Sequence, residues 1–381
     1  MQMFRKGIGM VHKKIVVAGH ICVDLTPVFP PGEKSSVREA LVPGRLLHME
    51  GMDIHTGGAV SNTGLALKKL GAAVELMGKV GKDELGRLVL EIMKSHGVEK
   101  GIVEDAGCTT SYTVALAIPG LDRIFLHNPG ANDTYSWTDI REEGLKDAAL
   151  FHFGYPPLMK KMYEKGGEEL LQIFQMVKRK GIATSLDMAA VDADSDAGKA
   201  DWREIIQKVM PYVDFFVPSA EELLFMMDRE KYNALQKEAD GSEILRVLDL
   251  DRDIKPLGEA LIQMGAAVVL IKCGALGIYY RTASGERLKK AGELFKNTAL
   301  WENREGFEKS YKPKRVLSGT GAGDTTIAAF LLAALEGYSL ELCLHLAAAT
   351  GASCVEAIDA LGGLKSFEEL LRKIHDGWEK N

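Results

Sequence analysis

Near its C-terminal end the chain reads Arg315-Val316-Leu317-Ser318-Gly319-Thr320-Gly321-Ala322-Gly323-Asp324-Thr325-Thr326 and then turns apolar. Three alternating glycines that deliver the backbone into a helix N-terminus make an anion site, from free N–H groups and the positive end of the helix dipole. No Gly-Lys-Ser/Thr follows, so this is not a Walker A loop. Asp324 stands where the third glycine of G-x-G-x-x-G would fall, so it is not the dinucleotide fingerprint either. A carboxylate at the mouth of an anion site repels the ligand unless it has its own task. Taking a proton from an attacking hydroxyl, while backbone amides stabilise a transferring phosphoryl group, is such a task. A first-turn acid that merely complements the dipole is the plainer role. From this segment alone both stand.

A second segment, Gly57-Gly58-Ala59-Val60-Ser61-Asn62-Thr63-Gly64, leads into a helix that ends near Leu70-Gly71. The paired glycines let a ligand approach the backbone closely, and Asn62 offers both a donor and an acceptor. A simple loop-to-helix turn accounts for the same residues. Asp24 follows the first strand, in the region beyond strand carboxyl ends where open α/β sheets bind ligands; an ordinary loop acid is the alternative. Ser219-Ala220-Glu221-Glu222 has the spacing of a capping box. Lys272-Cys273-Gly274-Ala275-Leu276-Gly277 joins two strand-like runs as a tight connection. The nine histidines show no H-x-x-x-H or similar metal spacing and read as structural or surface residues.

Positioning these residues requires an alternation of short apolar strands and amphipathic helices, and the sequence supplies it. Strands are expected at 15–18, 74–77, 150–153, 182–186, 215–217 and 268–271, each apolar throughout, as strands covered on both faces tend to be. Leu85, Leu88, Val89, Ile92 and Met93 mark one helix, and Leu170, Leu171, Phe174 and Val177 another. Two late helices, 325–335 and 340–357, are rich in Ala and Leu and should be largely buried. Three stretches break the rhythm. Residues 21–56 contain Pro27, Pro30, Pro31 and Pro43, and residues 109–128 alternate around a turn at Pro119-Gly120. Both are expected to form one small β-sheet lid, since long structureless loops inside compact domains are uncommon unless functional. The polar stretch 284–313 reads as a surface insertion. The whole is expected to be one large α/β domain.

Composition removes other classes. The 381 residues include 47 Lys plus Arg against 53 Asp plus Glu, a net charge of -6, which argues against a general nucleic-acid binder. The five cysteines (Cys22, Cys108, Cys273, Cys343, Cys354) are scattered and contain no C-x-x-C pair. Neither a disulfide framework nor a cysteine zinc site is expected, and a reducing cytoplasm fits. The apolar run after Lys13 and Lys14 is too short for a signal peptide, and no run reaches the roughly 18 residues of a membrane span.

These pieces in this order resemble the ribokinase-like (PfkB) carbohydrate kinases over most of the chain. The amino-terminal family motif is matched by Gly57-Gly58 through Asn62 to Gly71, and continues through Met77-Gly78-Lys79-Val80-Gly81-Lys82-Asp83-Glu84-Leu85-Gly86. The carboxy-terminal motif is matched by Gly319 to Asp324, and Gly130-Ala131-Asn132 matches a further element. The resemblance implies a three-layer α/β/α fold with a mostly parallel central sheet and a β-sheet lid. It implies transfer of the γ-phosphoryl group of ATP to a hydroxyl of a sugar or sugar-derived acid. Asp324 would be the base and Gly321, Ala322 and Gly323 the anion hole. Asp24, Gly57, Gly58 and Asn62 would hold sugar hydroxyls. Ser219, Lys272, Gly274, Gly277, Gly319 and Thr320 would lie on the nucleotide side, and Glu222 would help organise Mg²⁺ and phosphate. A monovalent cation such as K⁺ and a homodimer formed through the lid are further family expectations. Ser219 replaces the usual Asn of the Asn-x-x-Glu motif and Lys272 a common Thr, and Gly154 falls near a position that is acidic in some ribose kinases. Those departures put ribose in doubt as the substrate. A nucleoside kinase of the same fold and a non-catalytic sugar sensor are the alternatives.

Overall fold

The computed structural model describes residues 13–381, apart from 33–35, 122–123 and 296. Those internal gaps fall within the two expected lid segments and the 284–313 stretch, and they lie outside the described residues.

Nine strands form the main sheet in the order β13-β12-β11-β10-β9-β8-β1-β4-β5. They are β1 (Lys14–Gly19), β4 (Ala73–Gly81), β5 (Ile102–Asp105), β8 (Ala148–Gly154), β9 (Ala183–Asp187), β10 (Phe215–Phe216), β11 (Val268–Lys272), β12 (Gly277–Thr282) and β13 (Glu305–Lys309). Pairing is parallel from β5 across to β11, and antiparallel where β12 and β13 extend the edge. Each expected strand is present.

Strand β1 illustrates the layering. Alternate side chains of a strand face opposite ways, and Ile15 and Val17 join one buried cluster while Val16 and Ala18 join the other. The first cluster is closed by the helices Ala59–Lys69, Ala322–Leu335 and Leu340–Cys354, the second by Glu168–Arg179, Trp202–Val209 and Ala220–Met227. Helices thus cover both faces. The Ala322–Leu335 helix is buried almost all round, as its uniformly apolar sequence requires.

A second sheet has the order β3-β2-β6-β7, built from β2 (Cys22–Val28), β3 (Gly51–Gly57), β6 (Tyr112–Leu116) and β7 (Ile124–Asn128). These strands fall within the two segments expected to form a small sheet, and residues 119–120 make the turn between β6 and β7. Asn132 ties this sheet to the body: its side chain accepts from the Ile21 N–H at 3.2 Å and donates to the Ile21 carbonyl at 2.9 Å.

The 284–313 stretch is not a surface insertion. It supplies edge strand β13, and Phe295 and Trp301 pack with Phe215 and Phe330 in the first core cluster. Its high charge hid four apolar anchors, Leu288, Ala291, Phe295 and Trp301, all under 6% exposed.

Candidate active site

Parallel strands end together along one edge of the sheet, and the residues that follow them converge there. His20 follows β1, Tyr155 follows β8, Asp187 closes β9, and Lys272 closes β11. Facing them is the first turn of the Ala322–Leu335 helix, with Asp324 buried at 4% exposure. Gly321 enters that helix at φ 73°, and a side chain there would collide with the Ala360 methyl, so a residue free of Cβ is needed.

Asp324 is held by three donors. Asn62 Nδ2 donates to Oδ2 at 3.1 Å and Thr63 Oγ1 to Oδ1 at 3.0 Å, both from the helix that Gly57 and Gly58 introduce. The Tyr155 hydroxyl reaches both oxygens at 2.8 Å. Burial pushes the Asp324 pKa up; the Lys272 charge and the hydrogen bonds from Tyr155, Asn62 and Thr63 oppose it, and the balance stays above the ordinary aspartate value.

Lys272 Nζ pairs with Asp187 Oδ1 at 2.8 Å. Its stem lies against the helix entrance, and a Cβ on Gly323 would stand 3.7 Å from Nζ. Burial works against the ammonium, but the carboxylates of Asp187, Glu222 and Asp324 outweigh it and hold the Lys272 pKa above its usual value. A fixed cation beside a helix N-terminus is a receptor for an anion such as phosphate. The Ala322 N–H donates to the Gly319 carbonyl at 3.2 Å.

Across the small sheet runs a polar row set by strand register: His55 opposite Asp24, Asp24 beside Thr113, and Thr113 opposite His127. Thr113 Oγ1 and His127 Nδ1 are 3.0 Å apart, and Cys22 Sγ donates to Asp24 Oδ1 at 3.3 Å. Burial raises the Asp24 pKa and lowers that of His127. A Cβ on Gly57 would collide with the Asp24 carboxylate, which is why glycine stands there. His20 spans the gap between this row and the base, its ring 5.5 Å from His127 and 6.1 Å from Tyr155. Burial drives its pKa down to about 3, so the ring is neutral, and neither ring nitrogen has a partner among the described residues.

Ser219 and Glu222 form the capping box that their spacing suggested, Ser219 N–H donating to Glu222 Oε2 at 2.8 Å. Ser219 also bridges to Lys272, so this helix start stands next to the cation. Gly274 and Gly277 form the tight turn between β11 and β12, with Gly277 at φ 136°. Gly319 and Thr320 lie in the loop before the Asp324 helix. Among the described residues no three His, Cys, Asp or Glu side chains gather as a metal site.

Sequence reasoning missed Tyr155, Thr63, His20, His127 and Asp187. It set the histidines aside for lack of metal spacing, yet two of them line the gap between the small sheet and the base. The only available signal was position: each of His20, Tyr155 and Asp187 stands at or just past the carboxyl end of a parallel strand.

An acid at the start of a buried helix, facing the carboxyl edge of a parallel sheet with a second small sheet beside it, defines a ribokinase-type fold. Solved structures agree. Arabidopsis thaliana ribokinase complexed with ribose and ATP superposes with a TM-score of 0.67 at 19% identity, over 94% of this chain and 98% of that one. Xylella fastidiosa fructokinase with bound ATP gives 0.68 at 19% identity, over 96% and 99%. The 2-dehydro-3-deoxygluconokinase of Thermoproteus tenax is 24% identical over 351 residues, 90% of this chain and 93% of that protein. The pfkB family carbohydrate kinase model matches residues 12–365. The chain belongs to that family and is a carbohydrate kinase.

Proposed function

We propose that this enzyme transfers the γ-phosphoryl group of ATP to a hydroxyl of a sugar or sugar-derived acid, with Asp324 as the base. The observation that carries the reading is the buried Asp324 carboxylate, held by Asn62, Thr63 and Tyr155 at a helix N-terminus beside the Lys272 ammonium. A negative group is retained where the local field favours an incoming anion, which a purely structural acid does not require. Asp324 takes the acceptor proton, the 321–323 amides stabilise the charge of the transferring group, and Ala322 exchanges its Gly319 bond for a phosphoryl oxygen. Lys272 lies on the phosphate side, with Ser219, Gly274, Gly277, Gly319 and Thr320 around the nucleotide. Mg²⁺, when bound, would neutralise the phosphates, and Glu222, whose Oε2 accepts from the Ser219 N–H, would help organise it through its other oxygen.

The acceptor lies between the polar row of the small sheet and the base. Asp24, with Gly57, Gly58 and Asn62, takes its hydroxyls, and the small sheet acts as a lid that keeps water from competing. The face of that sheet turned away from the polar row exposes Met52, Ile54 and Leu126, which supports a homodimer through the lid. A cytoplasmic location and activation by K⁺ complete the reading.

The test is ATP consumption against a panel of sugars, sugar acids, polyols and nucleosides, with Asp324→Asn as control. We expect turnover with a sugar or sugar acid and a kcat lower by about 10²–10⁴ in the variant. Preference for a nucleoside would move the assignment to that class. A folded Asp324→Asn protein with undiminished turnover would overturn the mechanism.

A further inference from the structure

We infer that Tyr155 is the positioning residue of the base: its phenol keeps Asp324 aimed and ionised until an acceptor hydroxyl arrives. The inference rests on the assignment of Asp324 above.

The sequence Gly154-Tyr155-Pro156-Pro157 follows β8. A residue before proline is pushed towards extended backbone, and a bulky side chain at positive φ is an outlier. Tyr155 nevertheless sits at φ 66°, ψ 43°, so the surrounding structure must impose this conformation. Two backbone bonds do so: the Tyr155 N–H donates to the Asp187 carbonyl at 3.3 Å, and the Leu158 N–H donates to the Tyr155 carbonyl at 3.0 Å. The left-handed turn brings the phenol onto both Asp324 oxygens at 2.8 Å.

The chemistry of that contact has one direction. Burial, reinforced by the neighbouring Asp324 and Asp187 charges, puts the Tyr155 pKa well above its usual value, so the phenol donates at any working pH. A donor favours the ionised carboxylate. The other groups facing Asp324 are the Lys272 ammonium, with Asp187 and Glu222 around it, the donors Asn62 and Thr63, and the Cys354 thiol. Of the donors to the carboxylate, Tyr155 makes the shortest bonds and alone touches both oxygens. With four lone-pair directions on a carboxylate, an acceptor hydroxyl replaces part of the phenol's hold rather than displacing Asn62 or Thr63.

The variant is Tyr155→Phe, which removes one oxygen, with Tyr155→Asn as a second variant because asparagine tolerates the left-handed turn. The first readout needs no substrate: the Asp324 carboxyl is titrated by ¹³C NMR in aspartate-labelled protein and assigned with Asp324→Asn. We expect its midpoint about one pH unit higher, a tenfold gain in proton affinity. The acid limb of kcat should move by the same amount, and the alkaline plateau should fall too, because the base is less well aimed. Adding Tyr155→Phe to Asp324→Asn should slow turnover no further. An unmoved carboxyl titration, or a fall in kcat with the acid limb left in place, would overturn the inference. If Asp324→Asn keeps its turnover, the assignment of the base fails instead, and the titration still reports on the contact.

Discussion

Replacing Lys272 by methionine keeps the buried stem and removes the ammonium, whose Nζ stands 2.8 Å from Asp187 Oδ1 with side-chain exposures of 15% and 2%. Burial pushes Asp187 up to about 8 even against the opposing Lys272 charge. Without that charge the Asp187 pKa must rise further. Both proteins therefore carry a neutral Asp187 below pH 8, where the variant loses only a hydrogen bond from a charged donor, about 1–3 kcal/mol. Above pH 8 the wild type ionises Asp187 beside its partner and the variant resists doing so. A carboxyl whose folded pKa lies further above its unfolded value costs more stability as pH rises through the lower of the two folded values. The gap then widens by up to about 1.4 kcal/mol per pH unit, towards the 3–5 kcal/mol of a broken buried pair. Urea unfolding at pH 6.5 and 9.5 measures it. Adding Asp187→Asn should restore most of the loss at the higher pH. The double variant also separates two roles. If Lys272 only balances Asp187, the KM for ATP recovers together with stability. If Lys272 faces the phosphates, stability recovers while KM stays about tenfold high, a loss of about 1.4 kcal/mol. Equal destabilisation at both pH values, with no rescue by Asp187→Asn, would refute the pairing argument.

Two further predictions concern the edges of the molecule. Trp301, 5% exposed with its ring 4.9 Å from Phe295 and 6.1 Å from Phe330, anchors the 284–313 stretch; Trp301→Ala should cost about 3–5 kcal/mol in denaturant unfolding, whereas a surface insertion would lose under about 0.5 kcal/mol. Leu126, 53% exposed on β7 and on the face turned away from the polar row, should lie in the dimer contact; Leu126→Glu should lower the mass seen by sedimentation without lowering the melting temperature of the protomer, and an unchanged mass would remove β7 from the interface.

What was legible in the sequence is what periodicity and glycine placement encode. The buried strands read as apolar runs because helices cover both faces, and the two long irregular segments read as sheet because β6 and β7 alternate. The Gly319–Asp324 segment announced a helix entrance because the φ of 73° at position 321 favours glycine and a Cβ there would collide with Ala360. The edge strand β13 was not legible: Glu305–Lys309 is mostly polar, and only its pairing with β12 makes it a strand. The partners of the base were hidden for a related reason. Asn62 meets Asp324 across 262 positions; glycine signatures drew attention to both segments, but the sequence placed Asn62 on sugar hydroxyls and did not show the contact. Tyr155 carries none; a tyrosine before two prolines reads as a loop, and propensity argues against the left-handed backbone it adopts. Its conformation follows from where β8 and β9 end relative to the Asp324 helix, a property of the assembled sheet. The strain and the two short bonds belong to one residue, and that coincidence makes Tyr155 part of the chemistry: a tyrosine needed only for packing could keep ordinary backbone geometry and leave Asp324 to Asn62 and Thr63.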